Sequence, residues 1–172
     1  MPLSSNTNFT LNANTGQFQN IGGINVPFTF SAAYRSNMTS GTGSSQGNTV
    51  VVLTPTIAGG ANYTVDLLAV PGGTNAGSGN PFGTVTFTSV TTVLVSFAAQ
   101  GTMSLAPGAS NGWSSCFAGA INMKCPTGNR SVFFQQSPSF DGYAVTSACR
   151  NLFISNTGTT SLTPSILIVG RA

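Results

Sequence analysis

The two aspartates are the only acidic residues in the chain, and they are its first candidates for catalysis. The sequence contains no Glu and no His, so the most common general bases are missing. Asp66 lies between Val65 and Leu67 in an alternating pattern that is typical of a strand, and Asp141 precedes Gly142 in a turn pattern. We therefore interpret Asp66 as an exposed strand residue and Asp141 as a turn residue, and we predict that the protein is not an enzyme.

The three cysteines are the other residues that could do chemistry. Cys116, Cys125 and Cys149 have no His to activate a thiolate, and serine nucleophiles lack a base for the same reason. Structural zinc sites use four ligands, so three thiols without His do not form one. A disulfide between Cys116 and Cys125 would close a small loop, but the odd number of cysteines favours reduced, partly buried thiols. We predict no catalytic, cofactor-binding or metal-binding residues.

The chain is unusually poor in charge, with 4% charged residues against about a quarter in ordinary soluble domains. The seven charged residues are Arg35, Asp66, Lys124, Arg130, Asp141, Arg150 and Arg171. Disordered chains combine low hydropathy with high net charge, whereas the mean hydropathy here is positive. A chain of 172 residues is long enough to bury a hydrophobic core, so we expect one folded domain over residues 1–172.

The distribution of charge argues against a nucleic-acid partner. The five cations stand singly and no two are adjacent, so they cannot displace several counterions together. No stretch approaches the ~20 apolar residues of a membrane span, and the N-terminus lacks the basic and apolar regions of a secretory signal. We expect a soluble protein that is made in the cytoplasm and binds neither nucleic acid nor membrane.

The hydropathy pattern has the period of two that is typical of β-strands. Alternating segments cover residues 9–12, 26–30, 63–67, 84–90 and 93–97. Continuous apolar runs at 50–53, 131–134 and 166–169 predict strands that are covered on both faces. The inward positions predicted from this spacing are Phe87, Val93, Val95, Phe133, Ile154, Ile166 and Ile168.

Turn sequences separate these segments, among them 14–16, 21–23, 58–60, 107–108 and 156–158. Roughly eight to ten short strands with such spacing predict an antiparallel β-sandwich of jelly-roll type. Two segments rich in Gly, Ser and Asn, near 36–48 and 72–83, are predicted to be long loops. A single turn near 114–119 is the most helix that we expect. Trp113 either anchors an interface or caps the core.

The second half of the chain resembles small β-rich virion proteins of tailed bacteriophages, of the capsid cement or decoration type. The likeness lies in the succession of strand and turn segments at 85–95, 105–113, 131–138, 142–146, 152–156 and 164–170. It implies a jelly-roll fold and a homotrimer. It also implies a place on the head surface of a virion, with the phage major capsid protein as partner.

The composition agrees with this role, because the cores of interfaces are depleted in charged residues, which are costly to bury. We therefore expect a structural virion component that braces a phage head by bridging neighbouring capsomers. One alternative is a tail-fibre or spike-like β domain that binds a host glycan through its loops and aromatics, although Trp113 and Tyr143 stand alone. Another is the subunit of a small shell, although residues 1–15 carry no Lys or Arg.

Overall fold

The computed structural model describes residues 5–21, 24–40, 46–47, 49–71, 84–117, 119–125, 131–137 and 141–172. These residues form strands, turns and connecting segments, and they contain no helix, so none that could cross a membrane. The single helical turn allowed near 114–119 is absent from the described residues there, and residues 114–116 form an ordinary turn. The prediction of an all-β protein with antiparallel sheets is therefore confirmed.

The described strands follow one another closely along the chain. They are β1 (Ser5–Ile21), β2 (Ile24–Ser40), β3 (Gln46–Gly47), β4 (Thr49–Leu53), β5 (Asn62–Asp66), β6 (Val70–Pro71), β7 (Thr84–Val85), β8 (Ser89–Phe97), β9 (Gly101–Pro107), β10 (Ile121–Cys125), β11 (Ser131–Gln136), β12 (Tyr143–Ala144), β13 (Asn151–Asn156) and β14 (Ser165–Arg171).

Two antiparallel sheets form the body of the protein. The four-stranded sheet has the order β10-β9-β13-β5. The five-stranded sheet has the order β11-β8-β14-β4, and β12 adds to β8 beside β11. The two orders correspond, because each strand of one sheet has a sequence neighbour at the same position in the other. β1 and β2 form a separate ribbon, to which β3 adds in parallel at the end of β2.

Side chains from the inner faces of both sheets meet in one hydrophobic core. β14 contributes Ile166 and Ile168, β8 contributes Val93 and Val95, and β13 contributes Leu152 and Ile154, all fully buried. Of the seven predicted core residues, only Phe133 is half-buried, and it packs against the core from the edge strand β11. The alternation in the sequence therefore identified the inward positions correctly.

The strand predicted over residues 84–90 is interrupted in the structure. β7 ends at Val85 and β8 begins at Ser89, with Phe87 buried between them. The backbone N–H of Phe87 donates to the Leu67 carbonyl at 2.9 Å, and that of Thr88 donates to the Arg171 carbonyl at 2.8 Å. The prediction of one continuous strand was wrong, because the backbone N–H groups of Phe87 and Thr88 bond carbonyls on two different segments of the chain.

The N-terminal ribbon also differs from the predictions. The turn expected at 14–16 lies inside β1, where the register with β2 shifts between Asn14 and Phe18, as in a β-bulge. The start of the loop predicted from residue 36 was wrong, because residues 36–38 pair with 5–7 of β1 and β2 extends to Ser40. Of the rest of that segment, 41–45 and 48 lie outside the described residues, as does the whole loop predicted at 72–83.

Asn156 is a buried polar residue that joins three segments at one end of the sandwich. Its Nδ2 donates to the carbonyls of Ile57 at 3.0 Å and Thr160 at 2.7 Å, and its Oδ1 accepts from the backbone N–H of Gly158 at 3.0 Å. Only 1% of the residue is exposed. Buried polar groups are costly when they lose their partners, so this side chain holds the segments in place.

Replacing Asn156 by leucine should therefore destabilise the fold by about 1–3 kcal/mol, because the N–H of the half-buried Gly158 loses its partner, whereas the carbonyl of the exposed Thr160 can bond water instead. The Ile57 carbonyl keeps its bond from the Leu162 N–H at 2.9 Å. Urea denaturation measures the change, and the exposed Asn62→Leu serves as the control. Equal stability of the two variants would show that Asn156 does not hold these segments.

Candidate interaction surface

The structure places each aspartate against its own arginine. The Oδ1 atom of Asp66 accepts from the Leu68 N–H at 3.0 Å and lies 3.6 Å from Nε of Arg150. In the turn before β12, Oδ1 of Asp141 lies 3.8 Å from Nη1 of Arg171, whose Nη2 donates to the Asp141 carbonyl. Ion pairs at a protein surface contribute about 0–1 kcal/mol, and neither of these pairs is fully exposed or fully buried. Asp66 is the last residue of β5 and Asp141 stands in a turn, as predicted, but the prediction that Asp66 is exposed was wrong, because it is half-buried beside Arg150.

The three cysteines are free thiols in the structure. Cys125 is buried, and Cys116 and Cys149 are half-buried. The Cys149 thiol lies 3.3 Å from the Ser115 hydroxyl and 3.8 Å from that of Ser114. Within the described part of the chain, no three His, Cys, Asp or Glu residues are grouped so as to hold a metal ion.

The two half-buried thiols differ in acidity. Burial raises the pKa of Cys116 to about 12. Burial also acts to raise the pKa of Cys149, but hydrogen bonds with Ser115 and Ser114 outweigh it, and the pKa is lowered. Because the thiolate is the reactive form, the two thiols should react at different rates.

At pH 8 we expect iodoacetamide to modify Cys149 much faster than Cys116, and mass spectrometry of the digested protein measures both rates. Ser115→Ala should slow the modification of Cys149, because the hydrogen bond that favours its thiolate is removed, and should leave Cys116 unchanged. Faster reaction at Cys116 would contradict the described environments.

Trp113 is a core residue and not an exposed anchor. Its side chain is fully buried, and its Nε1 donates to the Ala144 carbonyl at 3.0 Å. Its ring meets Phe117 and Tyr143 edge to face, with centroids 6.0 and 5.9 Å apart. Of the two interpretations that the sequence left open, the structure supports the core residue. Of the two aromatics considered for a glycan site, Trp113 is therefore not accessible and Tyr143 is half-buried.

A loop that is clamped to the start of β13 holds Trp113 in place. The Asn151 carbonyl accepts from the N–H groups of Gly108 at 2.8 Å and Trp113 at 2.9 Å. In return, Asn151 donates through its backbone to the Asn111 carbonyl at 2.9 Å and through Nδ2 to the Ser110 carbonyl at 2.8 Å. Asn111 has a positive φ of 50°, which Asn tolerates better than most residues. The four bonds therefore fix the loop as a unit.

A shallow depression of about 540 Å³ lies between residues 99–102 and 158–161. Its lining consists of small and neutral residues, including Ala99, Gly101, Thr102 and Gly158, and no ionisable group contributes to it. Ligand sites usually combine an apolar wall with a few convergent polar or charged groups. This depression lacks the charged groups that would bind a ligand specifically or take part in catalysis.

The outer faces of the two sheets differ in polarity. On the four-stranded sheet, Asn62, Thr64, Asn122 and Lys124 are exposed, as is usual for a sheet face in water. On the five-stranded sheet, one row of directly paired residues is apolar from edge to edge, namely Val52, Leu167, Leu94 and Phe134. Val50 and Val132 lie beside this row. We call these six residues the apolar outer face.

The apolar outer face is only partly covered. Its four central residues are half-buried. The two valines at its margins are exposed, with 37% of the surface of Val50 and 49% of that of Val132 accessible, and they are the large hydrophobic residues that are exposed among the described residues. The prediction that the runs at 50–53 and 131–134 are covered on both faces was therefore wrong. β4 and β11 stand at the two ends of the order β11-β8-β14-β4, so fewer neighbouring strands shield their outer side chains.

Comparison with protein families, curated proteins and solved structures found no match to this chain. The candidate surface therefore depends on the geometry alone. Sequence reasoning did not identify it, although the signal was present in the continuous apolar runs. Such runs place apolar residues on both faces of a strand, and only the fold determines which face is covered.

Proposed function

We propose that the protein is a structural component of a virus particle that acts through contacts between proteins, as a cement or decoration protein that braces a phage head. One observation carries the proposal: the outer face of the five-stranded sheet carries an unbroken apolar row from edge to edge, whereas the exposed residues on the strands of the four-stranded sheet are polar. Contiguous apolar patches on soluble proteins mark interaction surfaces. The partners would be the phage major capsid protein and further copies of this chain, with a trimer expected from the sequence resemblance.

The strand order supports the interpretation of the fold as a jelly roll. Eight strands divide into two sheets with the corresponding orders β4-β14-β8-β11 and β5-β13-β9-β10. Two sheets built in this way from eight antiparallel strands are typical of the jelly roll, an architecture that viral capsid proteins and lectins use. The complete burial of Trp113 weighs against the lectin-like use and in favour of the structural one.

The scarcity of charge gives the first test of this proposal. Few ion pairs can cross any interface that the protein makes, so its attachment should depend on apolar and neutral polar contacts. Salt weakens exposed charge pairs, since the Debye length falls from about 10 Å at 0.1 M to about 3 Å at 1 M. We expect the protein to remain on purified particles across this range, as measured by sedimentation and gel densitometry. Release of most copies at 1 M salt would contradict an apolar attachment.

The same strand order favours a second candidate, in which the protein is itself the subunit of a small shell. The purified protein distinguishes the two functions. A shell subunit should assemble into closed particles without another protein, which electron microscopy would show. A cement protein should attach only when preformed heads are added.

A further inference from the structure

The segment between β9 and β10 contains the only Asn-Gly sequence in the chain, Asn111–Gly112. Asn111 is exposed. Asparagine before glycine is the sequence most prone to spontaneous deamidation, because glycine has no side chain to hinder the attack of its own backbone nitrogen on the preceding amide. The loop therefore combines a chemically reactive sequence with access to water.

The fold accounts for both residues of this pair. Asn111 has a positive φ of 50°, a conformation that Asn adopts more readily than most residues. A Cβ atom at position 112 would overlap the Gly108 carbonyl oxygen and would lie 2.8 Å from the Cβ of Pro107. Only glycine fits at 112 without a shift of the backbone. The geometry of the loop thus places glycine directly after asparagine.

Hydrogen bonds fix the peptide unit that carries the attacking nitrogen. The nitrogen of Gly112 and the carbonyl of Asn111 belong to one planar unit. In the left-handed conformation of Asn111 this nitrogen is turned away from the Asn111 side chain. The same carbonyl accepts from the N–H groups of Arg150 and Asn151, both at 2.9 Å. Rotation of the unit toward the side chain would break both bonds, so the reaction requires the loop to open locally.

We propose that Asn111 is a site of spontaneous deamidation, which its backbone bonds to Arg150 and Asn151 slow in the folded protein. In the opened loop the Gly112 nitrogen loses its proton to base and attacks Cγ of Asn111, which forms a new C–N bond. The Cγ–Nδ2 bond breaks, and Nδ2 takes up a proton and leaves as ammonia. Water then opens the succinimide at either of its carbonyls, so that aspartate and isoaspartate both form.

The isoaspartate product would loosen the loop. Its backbone runs through the former side chain and gains one carbon between residues 111 and 112. The carbonyl that accepts from Arg150 and Asn151 is displaced, and the bonds that hold Trp113 beside Asn151 are weakened with it. The new carboxylate also adds a third acidic group to a chain that has two. The modified protein should therefore be less stable than the original.

Peptide mapping of the whole protein, aged in mildly alkaline buffer with and without denaturing urea, tests the site. Chymotrypsin cleaves after Leu105 and Trp113, so mass spectrometry of peptide 106–113 measures deamidation, and an isoaspartate methyltransferase detects isoaspartate. We expect both products at Asn111. The reaction should be faster in urea by about tenfold or more, since two backbone hydrogen bonds no longer oppose it. The exposed Asn62 and Asn122, which precede larger residues, are internal controls and should react much more slowly.

Asn111→Gly is the matched variant, because glycine adopts a positive φ readily and has no amide to lose. Ageing should lower the urea stability of the unchanged protein and leave that of Asn111→Gly as it was. Deamidation of Asn111 no faster than that of Asn62 and Asn122, or aspartate without isoaspartate, would overturn the proposed site. Equal rates with and without urea would overturn the protective role of the two hydrogen bonds.

Discussion

Replacing Trp113 by alanine is expected to destabilise the protein by about 3–5 kcal/mol, a large part of the ~5–15 kcal/mol of a typical domain. The side chain is fully buried, its ring contacts two other aromatic rings, and its Nε1–H bonds a carbonyl. Truncation removes these contacts and leaves a cavity that the clamped loop at Asn151 cannot easily close. Denaturant unfolding followed by far-UV circular dichroism measures the loss.

Trp113→Phe is the matched control for this prediction. It keeps an aromatic ring in the cavity and removes the Nε1–H donor, while the Ala144 carbonyl keeps its bond from the Ser115 hydroxyl at 3.1 Å. We expect a cost of about 1–2 kcal/mol for this milder change. If Trp113→Ala cost no more than Trp113→Phe, the ring would not be a packed part of the core.

A single charge on the apolar outer face should have the largest effect on function. Val132→Asp places a carboxylate at a position that is 49% exposed in the isolated chain, so folding should tolerate it. In a contact with another protein the same carboxylate would be buried without a partner, at a cost of several kcal/mol. Since 1.4 kcal/mol is a tenfold change in affinity, attachment to particles should weaken by about 100-fold or more.

Sedimentation of particles with increasing amounts of the variant measures this loss, and circular dichroism checks that the variant is folded. Asn122→Asp introduces the same charge on the exposed, polar face of the four-stranded sheet and should attach as the unchanged protein does. Equal weakening by both variants would mean that net charge controls attachment. Normal attachment of a folded Val132→Asp variant would exclude this face as the contact.

The sequence by itself determined the class of the fold and most of the core. Alternating apolar residues identify a strand and its two faces because side chains of a strand point alternately to opposite sides. For that reason Val93, Val95, Ile166 and Ile168 could be assigned to the interior before the sheets were known. The placement of Asp66 on a strand and of Asp141 in a turn could also be predicted, since each stands in a local strand or turn pattern.

The tertiary structure decided what depends on residues that are far apart in the chain. The side chain of Asn156 bonds the Ile57 carbonyl across 99 residues, and no local pattern marks such a pair. Trp113 is buried by Phe117, Tyr143 and the Ala144 carbonyl, and its loop is bonded to Asn151, so its partners lie up to 38 residues away in the chain. Likewise, the run at 50–53 has apolar residues on both faces, and the strand order alone left one of those faces outward. Local periodicity tells which residues share a face, whereas the covering of that face depends on long-range packing.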